Sequence, residues 1–291
     1  MIEYITPANL KEALSLMTSS KGQALVIAGG TDMLLDLSKY KKRPHLLIDI
    51  TRIPGLNQVR VAAGCAEVGA AVTFAMIKRY PFFRQHVHAL TDAARSVGAA
   101  GIQTTATWVG NLVQAMPAAD GAIVALALEA ETCVVDHSTT EWRPVESLFL
   151  GPGKSTIDSS SQLVTHIRFP IPDKPWGTAW QRIGRRTSMT LPIVTCAVKV
   201  VLDEGCIQEA VVALGPVTSR PFRARAAEAF LVGRIPELDV FTEAGRMAQA
   251  ESDPRSSAVR ASREYRLAIV PVLVRQALAA AVERAYDLKN V

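Results

Sequence analysis

The sequence contains few cysteines, and their arrangement does not suggest a metal site. The four cysteines, Cys65, Cys133, Cys196 and Cys206, form neither a CxxC pair nor a Cys/His ligand set. The apolar surroundings of Cys133 and Cys196 are typical of ordinary core thiols. We therefore expect no metal to be bound by this chain.

Other patterns that carry chemistry are also missing. The sequence shows no Ser/His/Asp arrangement and no paired carboxylates in a recognisable motif, so we expect no catalytic side chains in the acid–base sense. Any difficult chemistry would then belong to a cofactor that the protein binds and orients. No signal peptide is recognised at Met1, and no apolar run reaches membrane-spanning length. These absences predict a soluble, cytoplasmic protein without membrane insertion.

The charge balance is close to neutral for a chain of this size. There are 32 lysines and arginines against 27 acidic residues, which gives a net charge of +5. No basic run is long enough to indicate a nucleic-acid-binding surface, so no nucleic-acid partner is expected. The length of 291 residues and the hydrophobic content of 49% indicate a globular protein of roughly two domains.

Two common nucleotide-binding motifs are incomplete. The strand–turn–helix near the N-terminus lacks the G-x-G-x-x-G of a Rossmann fold. Residues 151–156, GPGKST, resemble part of a P-loop, but the required first glycine is replaced by Leu148. The sequence therefore argues against both a Rossmann fold and a P-loop.

A glycine pair follows the first apolar run of the chain. Residues 24–28 predict a short buried strand, and Gly29 and Gly30 can let another molecule approach the backbone. Thr31 and Asp32 are good N-cap residues for a following helix. A strand, a glycine turn and a helix N-terminus together favour phosphate binding. The alternative is a simple turn with nothing bound.

A second glycine-rich stretch, residues 97–111, is almost uncharged, which is unusual for a solvent-exposed loop. Gly98, Gly101 and Gly110 allow tight turns there, and Thr107 and Asn111 offer hydrogen bonds to a polar ligand. The alternative is a buried connection whose polar groups satisfy one another. Further on, at a loop-to-helix junction, Asp120 is either a helix cap or a contact for a sugar hydroxyl.

The secondary-structure pattern divides the chain. Residues 1–50 alternate βαβαβ, with a helix opening at Thr6-Pro7, which predicts mostly parallel strands. A hairpin around residue 64, a helix capped by Thr73 and a helix over 85–97 follow. The last part predicts three antiparallel strands over residues 176–214. It then predicts helices at about 222–232, 239–251 and 261–287.

Five ordered motifs resemble the medium, flavin-binding subunit of the molybdenum hydroxylases, the group that contains xanthine and carbon monoxide dehydrogenases. In that family an AGGTD loop and a TIGGN loop grip the FAD pyrophosphate. The matching segments here are 28–32 AGGTD, 107–111 TWVGN, 116–120 MPAAD, 182–186 RIGRR and 260–266 RASREYR. The resemblance covers essentially the whole chain.

The resemblance implies an α+β fold. A two-subdomain FAD-binding domain of the vanillyl-alcohol-oxidase/PCMH type would occupy residues 1–174, divided at about residue 55. A three-stranded antiparallel sheet with helices would occupy 175–291. The implied function is an FAD-dependent oxidoreductase subunit that passes electrons from [2Fe-2S] clusters to an external acceptor. The molybdenum cofactor would lie on a large partner subunit and two [2Fe-2S] clusters on a small one, in a dimer of heterotrimers.

Two alternatives stay open beside this function. One is a scaffold subunit of the same complex that has lost FAD. The other is a free-standing FAD-linked oxidase, although only about 110 residues follow the flavin unit, too few to build a separate substrate domain comfortably.

The resemblance also assigns roles by position. Gly29, Gly30 and Thr31 would bind the pyrophosphate through backbone N–H groups, Asp120 would hold a cofactor hydroxyl, and Arg182 would approach the flavin or a neighbouring subunit. The full set of expected cofactor-binding residues is Ile27, Ala28, Gly29, Gly30, Thr31, Asp32, Val97, Ile102, Thr107, Val109, Gly110, Asn111, Asp120, Val164 and Arg182. Arg260 and Arg266 are expected to be structural.

Some positions depart from the family pattern. Val109 stands where relatives carry the first of two glycines, and a β-branched residue tolerates positive φ poorly, which predicts a differently shaped second loop. Gln103 replaces an arginine and removes a positive charge near the expected diphosphate. The cysteine cluster of the benzoyl-CoA-type branch is missing, so no [4Fe-4S] site is expected.

Overall fold

The computed structural model describes residues 2–39 and 43–289. Its first layer is a parallel sheet of three strands in the order β1-β3-β2, with two helices. The elements are β1 (Glu3–Ile5), α1 (Leu10–Ser19), β2 (Ala24–Ile27), α2 (Met33–Ser38) and β3 (Leu46–Asp49). The predicted βαβαβ alternation with parallel strands is confirmed.

Helix α1 begins later than the sequence suggested. Its N-cap is Asn9, whose Oδ1 accepts a hydrogen bond of 3.0 Å from the Glu12 N–H. The Glu12 carboxylate accepts a 2.7 Å hydrogen bond from the Ala8 N–H, just before the N-cap, so the two side chains together fix where the helix starts. The prediction of a helix opening at Thr6-Pro7 is therefore wrong, because a stronger cap lies three residues further along.

The second layer is an antiparallel sheet of five strands in the order β4-β5-β10-β6-β7, with a small separate hairpin of β8 and β9. Six helices lie between its strands. The elements in order are β4 (Val59–Ala62), β5 (Cys65–Gly69), α3 (Phe74–Arg79), α4 (Pro81–His86), α5 (His88–Ser96), α6 (Ala100–Gln103), α7 (Trp108–Val113), α8 (Asp120–Ala127), β6 (Glu131–Val135), β7 (Thr140–Pro144), β8 (Phe149–Gly151), β9 (Lys154–Ser155) and β10 (Leu163–Pro170).

The helices that follow β5 agree only in part with those predicted. Thr73 caps α3 by accepting a hydrogen bond from the Met76 N–H, and α3 ends before Pro81, as predicted. The predicted helix over 85–97 is instead divided between α4 and α5, since Val87 leaves the helical region at φ −122° and ψ 60°.

The third part is an antiparallel sheet covered by helices. Its strands are β11 (Trp176–Gly184), β12 (Pro192–Asp203), β13 (Cys206–Gly215) and β14 (Phe222–Arg223), and its helices are α9 (Arg225–Leu231), α10 (Leu238–Ala250) and α11 (Arg263–Lys289). The three predicted strands are confirmed. The fourth, β14, occupies residues where a helix was predicted, because these residues pair with β13 before the helix begins.

Helix α11 is the only helix among the described residues with the length and apolar composition of a membrane span. It packs on β11, β12 and α10, which is also the situation of a core helix in a globular domain. The approach to β11 is close, since a Cβ on Gly177 would lie 2.0 Å from the Ala281 carbonyl oxygen. Glycine at this strand position is therefore required by the packing.

The third part is joined to the second by polar and charged contacts as well as by apolar packing. The Thr178 hydroxyl accepts a 3.1 Å hydrogen bond from the Ala89 N–H in the first turn of α5. Lys199 on β12 is buried, and its Nζ lies 2.5 Å from the Glu129 carboxylate that follows α8. The expected domain boundary at residue 174 falls in the connection between β10 and β11 and stays a prediction.

Candidate functional site

A cavity of about 910 Å³ opens where the three parts of the chain meet. Its wall is formed by the turn after β2, the stretch from Ser96 to Gln114, the β8–β9 hairpin and the start of β12. Fourteen of the fifteen residues expected to bind a cofactor lie in this wall. They are Ile27, Ala28, Gly29, Gly30, Thr31, Asp32, Val97, Ile102, Thr107, Val109, Gly110, Asn111, Asp120 and Val164.

The two glycine-rich segments touch each other at the cavity wall. A Cβ on Gly29 would lie 2.0 Å from the Thr105 carbonyl oxygen, so only glycine permits this approach. The next residue, Gly30, has φ +69°, a conformation that other residues rarely adopt. Two turns that are about eighty residues apart in sequence are therefore neighbours in space.

The first turn presents unsatisfied donors. In the described part of the chain, the N–H groups of Gly29, Gly30 and Thr31 have no protein acceptor. All three residues line the cavity. Because buried or half-buried N–H groups are normally hydrogen-bonded, three neighbouring free donors on a concave wall favour an anionic ligand.

The second segment forms the start of α7. The Thr107 hydroxyl caps this helix by accepting a 3.1 Å hydrogen bond from the Gly110 N–H. The Trp108 N–H donates to the Val72 carbonyl at 3.3 Å. In the first turn of α7, the Val109 N–H is therefore the one donor without a protein acceptor among the described residues. Val109 also lines the cavity. Val109 and the glycine turn after β2 therefore line the same cavity.

Val109 does not strain the backbone where relatives carry a glycine. It is a helical residue of α7, it is not among the residues with positive φ, and its side chain is buried. Trp108 beside it is fully buried, and its indole N–H donates to the Gly121 carbonyl at 2.9 Å. This position requires only a helical backbone here, so its β-branched side chain is not strained, and the expected difference from the relatives' loop stays a prediction.

Gln103 is also placed differently from the expectation. It is buried and outside the cavity wall. Its amide nitrogen donates to the carbonyls of Arg95 and Val97 at 2.9 Å, and its oxygen accepts from the Lys78 amino group at 2.5 Å. Gln103 therefore holds the segment that carries Val97 in place.

Asp120 is a buried carboxyl group in the cavity wall. Its Oδ2 accepts a 3.0 Å hydrogen bond from the Ser96 hydroxyl and lies 3.5 Å from the Arg182 Nε, while its Oδ1 has no partner in the described part of the chain. Burial raises the pKa of Asp120 to about 6, and the Arg182 charge and the Ser96 hydrogen bond partly oppose this rise. An unpaired oxygen of this kind suits a hydroxyl donor of a ligand.

Arg182 is the one expected residue that does not line the cavity. It lies behind Asp120 on β11, and it also donates a hydrogen bond to the Thr190 carbonyl. Thr190 and the two residues after it form part of the cavity wall. Arg182 thus contacts both a wall carboxylate and a wall segment, and its predicted contact with the cofactor stays a prediction.

The sequence reasoning missed one cationic group. Lys154, on the β8–β9 hairpin, is the only lysine or arginine among the residues found to line the cavity, which also include Asp32 and Asp120. The hairpin is fixed against the end of α7, since the Gly153 N–H donates to the Ala115 carbonyl at 3.0 Å. The sequence signals at this position were the incomplete P-loop pattern 151–156 and the resemblance of residues 151–154, GPGK, to a loop of the same family.

Metal ligands do not converge within residues 2–39 and 43–289. No group of three or more His, Cys, Asp or Glu side chains is placed to hold an ion, and the four cysteines are free thiols.

Comparison with known proteins gives matches along the chain. The family described as FAD binding domain in molybdopterin dehydrogenase matches residues 1–172, and that described as CO dehydrogenase flavoprotein C-terminal domain matches residues 179–281. The putative xanthine dehydrogenase FAD-binding subunit of Escherichia coli is 28% identical over 97% of this chain and 96% of its own. The nicotinate dehydrogenase FAD-subunit of Eubacterium barkeri is 28% identical over 79% of each chain.

The fold is also similar to a solved structure. Carbon monoxide dehydrogenase from Hydrogenophaga pseudoflava, in a form that lacks the Mo-pyranopterin moiety of its molybdenum cofactor, contains a chain that superposes with a TM-score of 0.91. The identity is 26%, and the superposition covers 97% of this chain and 98% of that one.

Proposed function

The chain belongs to the family of FAD-binding domains in molybdopterin dehydrogenases, and from this premise we propose that it is the electron-transfer flavoprotein subunit of a molybdenum-containing hydroxylase or dehydrogenase. The observation that carries the proposal is the cavity between the two glycine-rich segments, with its free N–H groups and its unpaired buried carboxylate oxygen. The relatives from Escherichia coli and Eubacterium barkeri carry FAD in their own names.

The residues present fit FAD. The cavity of about 910 Å³ lies at the upper end of the usual range of small-molecule sites, roughly 300–1,000 Å³. The N–H groups of Gly29, Gly30 and Thr31 would bind the diphosphate from one side, and the Val109 N–H would bind it from the other. Bound FAD would supply the redox chemistry, taking electrons from iron–sulfur clusters of a partner and delivering them to an external acceptor.

The other wall residues would orient the cofactor and exclude water. Asp120 would accept a hydrogen bond from a cofactor hydroxyl through its unpaired Oδ1. Val97, Ile102 and Leu191 also line the cavity, and their apolar side chains would pack on the flavin ring. Arg182 would act through Asp120 by keeping that carboxyl group charged.

The partners are proposed from the relatives. The relative from Hydrogenophaga pseudoflava is named as the medium chain of carbon monoxide dehydrogenase, and one from Paenarthrobacter nicotinovorans as the medium subunit of nicotine 6-hydroxylase. By analogy, this chain would assemble with a large molybdenum-cofactor subunit and a small [2Fe-2S] subunit, as a dimer of heterotrimers in the cytoplasm. The match covers 96–98% of the length of the relatives from Escherichia coli, Paenarthrobacter nicotinovorans and Hydrogenophaga pseudoflava. This full-length match supports an equivalent place in the complex.

The proposal is tested by the purified chain itself. We expect a flavin absorbance spectrum, release of FAD on heat denaturation, and saturable rebinding of one FAD per apoprotein chain. A chain that is isolated without flavin and does not bind added FAD would instead be a scaffold subunit.

A more specific prediction concerns Lys154. Because it is the one cation identified in the cavity wall, its replacement in Lys154→Gln should weaken FAD binding roughly 5- to 20-fold. The loss should shrink as salt is added, since an ionic contact is screened. Titration calorimetry with FAD and with riboflavin, which lacks the diphosphate, distinguishes the charge effect from damage to the ring site.

Lys11→Gln is the matched control, because Lys11 is an exposed lysine on α1 that does not line the cavity. An equal loss of riboflavin and FAD affinity in Lys154→Gln would show that Lys154 supports the wall and does not contact the diphosphate.

A further inference from the structure

Glu129 ends helix α8 in a backbone conformation that is unusual for a glutamate. Its N–H donates to the Leu126 carbonyl at 3.0 Å, and the Ala130 N–H donates to the Ala125 carbonyl at 2.9 Å, which is the hydrogen-bond pair of a Schellman motif. In this motif the residue after the helix takes a left-handed backbone, and Glu129 has φ +53°. Glycine favours this position, so a glutamate here requires a reason in its side chain.

The Glu129 carboxylate joins two cations of the third part of the chain. Its Oε2 lies 2.5 Å from the Nζ of Lys199 on β12, and its Oε1 accepts a 2.9 Å hydrogen bond from the Nη1 of Arg223 on β14. Arg223 also makes two hydrogen bonds of 2.9 Å with the Glu228 carboxylate. Lys199 is only 1% exposed, and a second carboxylate, that of Glu209, lies 3.7 Å from its Nζ. Glu129 therefore supplies the nearer carboxylate to a buried ammonium group, and its loss would be costly.

Helix α8 connects this contact to the flavin cavity. It begins at Asp120, which lines the cavity, and ends two residues before Glu129. The third part also contacts the start of the helix, since the Nε of Arg182 on β11 lies 3.5 Å from the Asp120 carboxylate. A Cβ on Gly215 would lie 2.4 Å from the Ile123 side chain, so the end of β13 packs directly on α8. The sheet therefore meets α8 through ionic contacts at both ends of the helix and close packing between them.

We propose that Glu129 is a positioning residue for the flavin site. Its carboxylate sets how the sheet of β11 to β14 docks on α8, and this docking places Arg182 against Asp120. Glu129 is not among the residues that line the cavity, and α8 has eight residues, a length of about 12 Å, so Glu129 acts through docking and not by contact. The inference rests on the proposed FAD function, and it explains why a glutamate occupies a position that favours glycine.

Glu129→Gly separates the role of the side chain from that of the backbone. If Glu129 only ended the helix, glycine would give equal or greater stability, because it adopts the left-handed backbone without strain. We expect the opposite result. Lys199 would lose its nearer carboxylate, and the urea midpoint of the apoprotein should fall by roughly 0.5–1 M. Fluorescence titration should show FAD affinity lowered roughly 5- to 20-fold, as Arg182 and Asp120 separate.

Glu204→Gly is the matched control. Glu204 is also a glutamate with positive φ, at +48°, but it is exposed in the turn between β12 and β13 and is not among the residues that line the cavity. Its FAD affinity should stay within about twofold of the wild type, with a urea midpoint at or above that of the wild type. The proposal is overturned if Glu129→Gly behaves as Glu204→Gly does. Failure of both the wild type and the control to bind FAD would instead refute the proposed function.

A double-mutant cycle with Arg182→Met distinguishes positioning from a general loss of stability. Distant residues without a shared partner normally have additive effects. If Glu129 acts by placing Arg182, Glu129→Gly should lower FAD affinity by less than about twofold once Arg182 is already replaced. The full 5- to 20-fold loss in the Arg182→Met background would show that Glu129 acts elsewhere, and would also overturn the proposal.

A second variant covers the case in which Glu129→Gly is too unstable to purify. Glu129→Gln/Lys199→Met removes the buried cation together with its carboxylate, so no uncompensated charge is left inside the protein. It is measured in the same titration and the same cycle with Arg182→Met. Wild-type FAD affinity, or a loss that is fully additive with that of Arg182→Met, would contradict the positioning role.

Discussion

Replacing Gly29 with alanine is expected to weaken FAD binding by roughly 100-fold. The added Cβ would lie 2.0 Å from the Thr105 carbonyl oxygen and 2.9 Å from the Ala106 Cα. These are backbone atoms, so no side-chain rotation relieves the overlap, and the two segments must separate. Separation would move the N–H groups of Gly29 and Gly30 away from that of Val109, and the diphosphate would lose one side of its site.

Gly101→Ala is the matched control. It makes the same chemical change in the second glycine-rich segment, but a Cβ there would meet no atom within 4 Å, and its φ is not positive. Its FAD affinity should stay within about twofold of the wild type, a difference of roughly 0.4 kcal/mol. Fluorescence titration of FAD measures both variants. Similar affinities for Gly29→Ala and the wild type would mean that contact between the two segments is not needed for binding.

Replacing Arg182 with methionine is expected to destabilise the apoprotein by about 3 kcal/mol at pH 8 and much less at pH 5. Arg182 supplies the positive charge beside the buried Asp120 carboxyl, whose pKa is raised from 3.8 to about 6. The folded protein thus binds this proton more tightly than the unfolded chain does. The charged carboxylate therefore opposes folding above pH 6, and this penalty disappears below about pH 4.

Loss of the arginine would raise the pKa of Asp120 further and increase the penalty where the group is ionised. At pH 5 the Asp120 carboxyl is already mostly protonated in the wild type. Removing the Arg182 charge therefore has little effect, through Asp120, on the free energy of unfolding at this pH. Urea denaturation at pH 5, 7 and 8 measures the difference. An equal loss of stability at all three values would show that Arg182 acts through its hydrogen bond to Thr190 and not through Asp120.

The double variant Asp120→Asn/Arg182→Met tests whether the effect of Arg182→Met acts through the charge of Asp120. Because the double variant has neither buried charge, it should recover much of the stability that Arg182→Met loses at pH 8. FAD binding by the double variant should be weaker than in the wild type, since the neutral Asn oxygen accepts a weaker hydrogen bond from the cofactor hydroxyl than the charged carboxylate would. Stability would then recover without recovery of FAD binding, a combination that a general loss of folding cannot produce.

The sequence was most informative where the structure depends on local chemistry. The strand before Gly29, the glycine pair and the cap at Thr73 all follow from the residues themselves. Glycine was correctly singled out at both segments, although the reason at Gly29 is a contact with Thr105, which lies far away in sequence. The sequence pattern indicated that another group approaches the backbone at Gly29. It did not indicate that this group belongs to the chain's own second glycine-rich segment.

The structural consequences of substitutions relative to the family pattern were harder to predict from the sequence. Val109 and Gln103 suggested a weakened cofactor site, and they were the motive for considering a scaffold subunit. In the structure Val109 is an ordinary helical residue with a free N–H, and Gln103 braces the segment below the cavity. The consequence of a changed residue depends on its dihedral angles and its partners, and neither is visible in a single sequence.

One group brought to the site by long-range packing was missed. Lys154 reaches the cavity only because the β8–β9 hairpin folds against the end of α7. Arg182 was expected to approach the flavin or a neighbouring subunit; its strand places it beside Asp120, and that expectation stays a prediction. No local pattern records such positions, since they depend on how the third part of the chain docks on the second.

The most direct test of the account is a structure of the protein with FAD bound. The account predicts the diphosphate between the turn of Gly29 and Gly30 and the first turn of α7, within hydrogen-bond distance of the N–H groups of Thr31 and Val109. It also predicts a cofactor hydroxyl on the Oδ1 of Asp120. FAD bound elsewhere, or a diphosphate that leaves these donors unsatisfied, would contradict it.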